Sequence, residues 1–206
     1  MIENVFIPDR IFTVSNVLSP EECAEYIALT ENIGYTPAGL TVGQDEYMMD
    51  PQVRNNDRVI LDDRVRAADL WRRIADYVPA TIDNWTAREL NERLRFYRYD
   101  PGQRFAPHRD GSYFRKNGDC SQLTFMIYLN DGFEGGDTRF FLHHNYSVLF
   151  DPDVVPDVSV VPTTGMALCF RHELRHEGAR VLRGRKYVLR SDVMYTMKSR
   201  LPRDRK

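Results

Sequence analysis

The sequence has too few cysteines to build a disulfide framework or a cysteine-rich zinc site. Cys23, Cys120 and Cys169 are spread over 206 residues, and such an odd, unclustered set argues against both structures. No apolar run approaches the roughly 18 residues of a membrane span, and the N-terminal stretch MIENVFIPDR lacks the regions of a secretory signal. The net charge of -2 gives no general field for nucleic acid or membranes. We therefore expect a cytoplasmic protein with neither partner.

Helical signals are confined to the first half of the chain. One helix is predicted from Ser19, an N-cap followed by proline and, three residues later, by glutamate, to Gly34. A second helix begins at Asp62 or Asp63 and carries apolar residues at spacings of three and four. The segment TARELNERL, residues 86–94, is interpreted as a third, short helix.

The pattern changes to short strands near Leu94. Runs such as RLRFYRY, SQLTFMIYLN and KYVLRSDVMY are rich in aromatic and aliphatic residues, and glycine or proline separates them. Many short strands without intervening helices favour a sandwich or a small barrel. We therefore predict an α+β, mainly β protein in which an N-terminal helical layer supports a β core.

The stretch FAPHRDGS contains a histidine and an aspartate two residues apart, His108 and Asp110. In a strand, such residues point to the same face, so the pair could converge on one metal ion. Chance alone gives roughly half such a pair in a chain of this composition, so the motif by itself is weak. A mononuclear iron site needs a second imidazole on the same face.

The second imidazole has to come from the four remaining histidines. Two of them lie in RHELRHEG, directly after the predicted strand GMALCF, and the short turn between the strands leaves room for one ligand only. The other two are adjacent beside a predicted loop, where a catalytic role is less favoured. The four candidates are His143, His144, His172 and His176.

A basic strand follows the second pair of histidines. In KYVLRSDVMY, Lys186 and Arg190 share one face, where a buried basic group could hold a carboxylate. In the earlier strand, Tyr128 shares a face with Thr124, although simple packing explains a tyrosine there equally well.

Four segments taken together carry a resemblance to a known family. They are YRYDPGQRFAPHRD, LTFMIYLNDGFEGGDTRFF, PTTGMALCF and RHEGARVLRGRKYVLRSDVMY, and the N-terminal VLSPEECAEYI is similar to the family's lead-in. From Leu94 to Tyr195 the chain resembles the iron(II)- and 2-oxoglutarate-dependent dioxygenases, in their prolyl 4-hydroxylase-like branch. The resemblance implies a double-stranded β-helix, or cupin-like jelly roll. We expect one domain over residues 1–206, with helical support at about 1–92 and a jelly-roll core at about 93–198.

The resemblance also implies the metal site. His108, Asp110 and His176 match the family's ligand positions, which makes them the expected metal ligands and catalytic residues. The metal would be iron(II), with 2-oxoglutarate and O2 as cosubstrates and ascorbate as a reductant in vitro. His172 does not match, and a structural role is expected for it.

For the cosubstrate, the resemblance implies a basic residue and two tyrosines. Lys186 stands where prolyl 4-hydroxylases carry the lysine that pairs with the distal carboxylate of 2-oxoglutarate, and Arg190 is the competing basic candidate. Tyr128 matches a tyrosine that hydrogen-bonds the same carboxylate, and Tyr99 matches one that lines the pocket.

A long polar segment precedes the second helix. Residues 41–58 show no regular periodicity, and loops of this length are often lids or binding loops. We predict that the segment covers the active site. The candidate substrate contacts are Arg54, Asn55, Asn56 and Arg58. A second insert, residues 143–157, is interpreted as a rim loop or an oligomer contact.

The function implied by the resemblance is hydroxylation of an unactivated C–H bond with O2 and 2-oxoglutarate, which releases succinate and CO2. The substrate would be a peptidyl proline, a free amino acid or another small metabolite. One alternative is a jelly-roll sensor or binding protein that keeps the metal without turnover. Another is a zinc hydrolase with Glu173 or Glu177 as its acid or base.

Overall fold

The computed structural model describes residues 3–41, 47–143 and 154–198. Within these residues the chain forms two helices, α1 (Pro20–Ile33) and α2 (Arg64–Ile74), and eighteen strands. Neither helix in this described part is long and apolar enough to cross a membrane. The strands are β1 (Glu3–Ile7), β2 (Ile11–Val14), β3 (Thr36–Pro37), β4 (Leu40–Thr41), β5 (Tyr47–Met48), β6 (Asp57–Asp62), β7 (Thr81–Ile82), β8 (Trp85–Leu90), β9 (Arg93–Tyr99), β10 (Phe105–His108), β11 (Cys120–Tyr128), β12 (Glu134–Gly135), β13 (Thr138–Phe140), β14 (Val158–Val160), β15 (Ala167–Arg171), β16 (His176–Gly178), β17 (Val181–Arg183) and β18 (Lys186–Met197).

Both long helices begin at the caps that the sequence predicts. The backbone N–H of Glu22 donates to the Ser19 hydroxyl at 3.2 Å, and the Ser19 N–H donates to the Glu22 carboxylate at 2.8 Å. This reciprocal capping box satisfies two N–H groups that the first turn of a helix leaves free. Helix α2 is capped by Asp63, whose carboxylate accepts from the backbone N–H of Arg66.

The predicted third helix is wrong. Residues 86–94 fall in β8 and at the start of β9, and β8 pairs with β18 through registers such as Leu90 with Val193. Helix propensity is a weak local preference, and the hydrogen bonds to a distant strand override it here. Strands β1, β2 and β6 also join the main sheet, so the first 92 residues supply strands as well as the helical layer.

The core consists of two antiparallel sheets that form a jelly roll. The main sheet has ten strands, with the path β1-β2-β15-β11-β18-β9-β6-β3 and with β7 and β8 attached beside β18. The second sheet has the order β10-β16-β13-β14. Alternate side chains of each main-sheet strand therefore face either the helices or the second sheet.

Strand β11 shows how this alternation divides the interior. Leu123, Phe125 and Ile127 point to a core that also contains Cys23 of α1 and Ile74 of α2. The alternate residues of the strand point the other way, toward the second sheet, and they are Thr124, Met126 and Tyr128. One face of the main sheet is thus closed by helices, and the opposite face forms a pocket wall.

Gly165 holds the N-terminal segment against β11. Its φ of 77° lies in the region that favours glycine, and its carbonyl accepts from the N–H groups of Val17 and Leu18. A Cβ at this position would lie 2.1 Å from the Leu18 carbonyl oxygen. No side chain fits at that distance unless the backbone moves.

We predict that Gly165→Ala lowers the free energy of unfolding by about 3 kcal/mol, because it adds backbone strain and overpacking. Chemical denaturation measures the loss. Gly132→Ala is the matched control, since a Cβ there meets no atom within 4 Å, and its effect should stay within about 0.5 kcal/mol. Equal stability of the two variants would contradict the close packing at Gly165.

Candidate active site

Two facing strands bring a histidine pair and a carboxylate together. His108 ends β10, His176 begins β16, and the two residues are direct partners in the antiparallel register. Asp110 follows β10, and one ligand atom from each of the three residues lies within 4.8 Å of the others. Two imidazoles and one carboxylate in a compact group are the donors that a mononuclear iron(II) site requires, and they leave coordination positions open.

Hydrogen bonds leave each of the two imidazoles with one nitrogen that could bind a metal ion. The Nδ1 atom of His108 lies 2.8 Å from the carbonyl oxygen of Ala106, and that of His176 lies 2.9 Å from the carbonyl oxygen of Leu174. Because a carbonyl oxygen only accepts, each Nδ1 carries the proton and each Nε2 keeps its lone pair. Burial lowers the pKa of both imidazoles, so both are neutral.

Asp110 is a buried carboxylate held on both of its oxygens. Arg190 Nη2 lies 3.0 Å from Oδ1, and the Thr124 hydroxyl donates to Oδ2 at 2.5 Å. Burial raises the pKa of Asp110, but Arg190 and the two imidazoles lower it by more, so its net shift is downward. The carboxylate is therefore ionised and its plane is fixed.

His172 supports this arrangement from behind and lies outside the ligand group. Its Nδ1 is 3.0 Å from the Thr124 hydroxyl, and its Nε2 is 2.9 Å from the Ser121 hydroxyl. Because Thr124 donates to Asp110, it accepts from Nδ1–H, and Nε2 accepts from Ser121. The sequence did not identify Thr124 as a contact of Asp110; its only signal was the face that it shares with Tyr128.

A buried lysine lies at the opposite end of the pocket. Lys186 is 2% exposed, and its Nζ donates to the carbonyl oxygen of Gly136 at 2.5 Å. The rings of Tyr99 and Tyr128 each lie 5.4 Å from Nζ, and the Tyr128 hydroxyl bonds the Thr138 hydroxyl at 2.7 Å. Burial lowers the pKa of Lys186 to about 7.

The structure separates the two basic cosubstrate candidates. Arg190 lies beside Asp110 and also contacts Asp192 at 3.3 Å, while Asp192 pairs with Arg95 at 3.0 Å. No carboxylate of the described chain lies within ion-pair distance of Lys186. Because four residues of strand separate them, the Cα atoms of Lys186 and Arg190 lie roughly 13 Å apart along β18. Arg190 is engaged by Asp110 and Asp192, so Lys186 is the one of these two candidates that could pair with the carboxylate of a ligand.

The predicted substrate segment reaches the pocket at its described end. The Arg54 guanidinium lies over the Phe105 ring at 4.3 Å, and that ring stacks on His108 at 3.6 Å. Asn56 accepts from Arg54 Nε at 2.8 Å. Arg58 pairs with Tyr97 across β6 and β9, which places both side chains on one face. Residues 42–46 lie outside the described residues.

The remaining candidates that the structure describes are not among the residues that line the pocket. His143 is exposed, and His144 falls in residues 144–153, which the description does not cover. Glu173 pairs with Arg171, and Glu177 faces Arg139. Neither acid lines the pocket in the described structure, so the zinc-hydrolase alternative loses its general acid or base. The lining residues are Tyr97, Tyr99, Phe105, His108, Asp110, Thr124, Met126, Thr138, Phe170, His176, Gly178, Lys186, Val188 and Arg190.

Two imidazoles and one carboxylate inside a jelly roll are the donor set of a mononuclear metal site. The family model of the 2OG-Fe(II) oxygenase superfamily matches residues 94–191. The chain is 26% identical over 190 residues to prolyl 4-hydroxylase 1 of Arabidopsis thaliana, which covers 86% of this chain and 66% of the relative. It is 31% identical over 140 residues to probable prolyl 4-hydroxylase 3 of the same plant, which covers 64% and 45%. The chain thus spans about half to two thirds of these relatives.

Solved structures show the same fold. A viral collagen prolyl hydroxylase from Paramecium Bursaria Chlorella virus-1 superposes with a TM-score of 0.58 at 19% identity, over 93% of this chain and 99% of that one. A prolyl-4-hydroxylase from Pseudomonas putida gives 0.60 at 18% identity, over 89% and 91%. The family model and the relatives both support a 2OG-Fe(II) oxygenase that is similar to the prolyl 4-hydroxylases. The predicted family and jelly roll are confirmed, and the family implies iron(II), 2-oxoglutarate and O2.

We predict that Thr124→Val weakens iron(II) binding about 10-fold to 100-fold, because it removes the donor that fixes Asp110. Metal titration by calorimetry measures this without turnover. Thr81→Val, on an exposed strand position, is the control and should leave metal affinity unchanged. Unaltered affinity in Thr124→Val would show that the hydroxyl does not position the carboxylate.

Proposed function

We propose that the protein is an iron(II)- and 2-oxoglutarate-dependent dioxygenase that hydroxylates an unactivated C–H bond. The observation that carries this proposal is the placement of a neutral imidazole pair and Asp110 at one end of a pocket with an unpaired buried lysine at the other. A keto acid with a distal carboxylate fits between two such ends. We further propose that residues 1–206 act as one domain, with the jelly-roll core at about 93–198.

His108, Asp110 and His176 would hold the metal. Two neutral imidazoles and one carboxylate leave an iron(II) centre with a net charge of +1, which favours an anionic chelating partner. When bound, iron and 2-oxoglutarate would together supply the chemistry by which O2 is reduced and the substrate is oxidised. In that reaction 2-oxoglutarate is converted to succinate and CO2. The protein's part is to orient these groups and to exclude water from the pocket between the sheets.

Lys186 would bind the distal carboxylate of 2-oxoglutarate. Its ammonium group is buried beside the Tyr128 and Thr138 hydroxyls, which can donate to the same carboxylate, and the Tyr99 ring covers one side. In such surroundings a charge-assisted hydrogen bond is strong. Arg190 has another role in this proposal: it holds Asp110 in place and stabilises its negative charge.

The primary substrate is expected on the side of Arg54 and Asn56. The named relatives are prolyl 4-hydroxylases, which supports a proline or another amino acid as substrate. Arg58 shares a strand face with Tyr97 and is a further candidate contact. The complete set of ligands, with Lys186 unpaired, gives no support to a silent metal sensor. The cytoplasmic location stays a prediction. The three cysteines are buried.

The activity is tested by incubating the protein with iron(II), ascorbate, 2-oxoglutarate and pools of free amino acids and proline-rich peptides. We expect succinate together with a substrate product that is heavier by one oxygen. His176→Ala should abolish both signals and weaken metal binding. Absence of succinate with every pool, together with unchanged metal affinity in His176→Ala, would refute the proposal.

We predict that 2-oxoglutarate binding weakens as the pH rises above about 7. Lys186 has a pKa of about 7 without a partner, and a bound carboxylate raises it, so binding takes up a proton. Affinity is therefore full below pH 7 and falls by up to about tenfold per pH unit until the raised pKa is passed. Calorimetry in buffers of different ionisation enthalpy measures both the affinity and the proton uptake.

Two variants test which basic residue causes this pH dependence of 2-oxoglutarate binding. Lys186→Arg keeps a permanent charge, so its 2-oxoglutarate affinity should not change with pH over this range. Arg190→Gln should keep the wild-type slope, because Arg190 lies at the metal end. If Arg190→Gln removed the slope and Lys186→Arg preserved it, Arg190 would be the anchor.

A further inference from the structure

Arg54 is a buried cation without a carboxylate partner in the described part of the chain. The residue is 5% exposed, and no carboxylate among the residues that the structure describes lies within ion-pair distance of its guanidinium. Burying a charge is unfavourable unless a partner offsets it. Two neighbouring arginines, Arg95 and Arg190, have carboxylate partners. Arg54 therefore differs from these two neighbours in lacking a carboxylate partner.

The contacts of Arg54 hold the guanidinium in place but leave its edge unsatisfied. The rings of Tyr97 and Phe105 lie against it at 4.5 Å and 4.3 Å. Asn56 accepts from Nε, and the amide of Asn56 donates to the carbonyl of Asp57. Nη2 is buried and has no hydrogen-bond partner. A fixed guanidinium with a free Nη donor is the arrangement that binds a carboxylate edge-on.

The unsatisfied edge lies close to the reacting end of the pocket. Phe105 separates Arg54 from His108, with 4.3 Å from Cζ to the phenyl ring and 3.6 Å from that ring to the imidazole, so Arg54 lies within about 8 Å of a metal ligand. Lys186, by contrast, lies at the far end beside Tyr99 and Tyr128. Arg54 therefore lies behind Phe105 near the metal end, whereas Lys186 lines the far end of the same pocket.

The charges around this edge also favour an anion. Arg54, Arg95 and Arg190 surround Tyr97, and burial raises the pKa of that phenol, yet the three guanidiniums outweigh burial and lower it to about 7. Arg190 Nε is a second buried donor without a partner. Asp110 and 2-oxoglutarate would neutralise iron(II) and Lys186. Among the described residues, Asp192 is the one carboxylate beyond the metal site that pairs with these arginines, and a partly ionised Tyr97 phenol offsets less than one further charge. A surplus of positive charge remains.

We propose that Arg54, with Tyr97 beside it, binds a carboxylate of the primary substrate, and that this substrate is a free amino acid or a similarly small carboxylic acid. The inference rests on the proposed function, since it names the substrate class of the same pocket. The distance between Arg54 and His108 suits a molecule of that size, with its C–H group at the metal. Nη2 of Arg54 is shielded from solvent, so the ligand has to displace part of the protein that covers it. The ion pair between the ligand and Arg54 then forms in a low dielectric.

The test compares matched compounds that differ only in charge. Free amino acids, the same amino acids as primary amides, and a proline peptide blocked at both ends are each added to protein with iron(II), ascorbate and 2-oxoglutarate. We expect at least one free amino acid to stimulate succinate formation, and neither its amide nor the blocked peptide to do so. In Arg54→Gln, the KM for that amino acid should rise roughly 100-fold or more, and Arg54→Lys should restore part of the loss. Arg183→Gln, at an exposed site, should match wild type.

A second measurement separates this inference from the proposed function. Thermal unfolding with the amino acid and with its amide reports binding without turnover, because a ligand of the native state raises the melting temperature. Stabilisation by the acid alone, lost in Arg54→Gln, would support the carboxylate site even if no succinate formed. Turnover of the amide or the blocked peptide, at equal rates in wild type and Arg54→Gln, would overturn the inference and leave the dioxygenase proposal intact.

Discussion

The pairing of Asp110 with Arg190 and Thr124 is the interaction on which the rest of the site depends. Without compensation, a carboxylate in this pocket would take up a proton, and a protonated Asp110 is a poor metal ligand. The guanidinium at 3.0 Å keeps it ionised, and the Thr124 hydroxyl fixes its second oxygen. Thr124 and Arg190, which hold Asp110, come from two adjacent strands of the main sheet. His108 and His176 come from the second sheet. The position of the histidines relative to Asp110 therefore depends on how the two sheets pack.

The jelly roll places Thr124 and Arg190 beside Asp110 because each strand of the main sheet points alternate side chains toward the helices and toward the pocket. On β11 the apolar residues face the helices, which leaves the opposite face of the strand free for polar and aromatic groups. Thr124 reaches the metal end from that face, and Tyr128 reaches the lysine end. The helical layer therefore does more than cover the sheet. It buries the larger of the two hydrophobic clusters, while the pocket face combines a smaller cluster with buried charges.

The sequence predicts what depends on local signals or on motif order. The capping box of Ser19 and Glu22 is local, and its helix was located correctly. The segment at residues 86–94 has helix-forming residues, but its pairing with β18 is set by distant residues, so it was assigned wrongly. The strand pattern alone does not distinguish Lys186 from Arg190 on their shared face, and only the family resemblance favoured Lys186. Only the fold shows that Asp110, from another segment, lies beside Arg190, and no local pattern contains that contact.

Within the described part of the chain, two buried cations lack a carboxylate partner, Lys186 in the pocket lining and Arg54 behind Phe105, and their chemistry differs. Lys186 can lose its proton when no anion is present, so its burial costs little in the free protein. Arg54 is held between two aromatic rings and Asn56, and these contacts offset only part of the cost of burying its guanidinium. Such a cost is expected where binding of an anion offsets it during the protein's working cycle, which favours a charged substrate on that side.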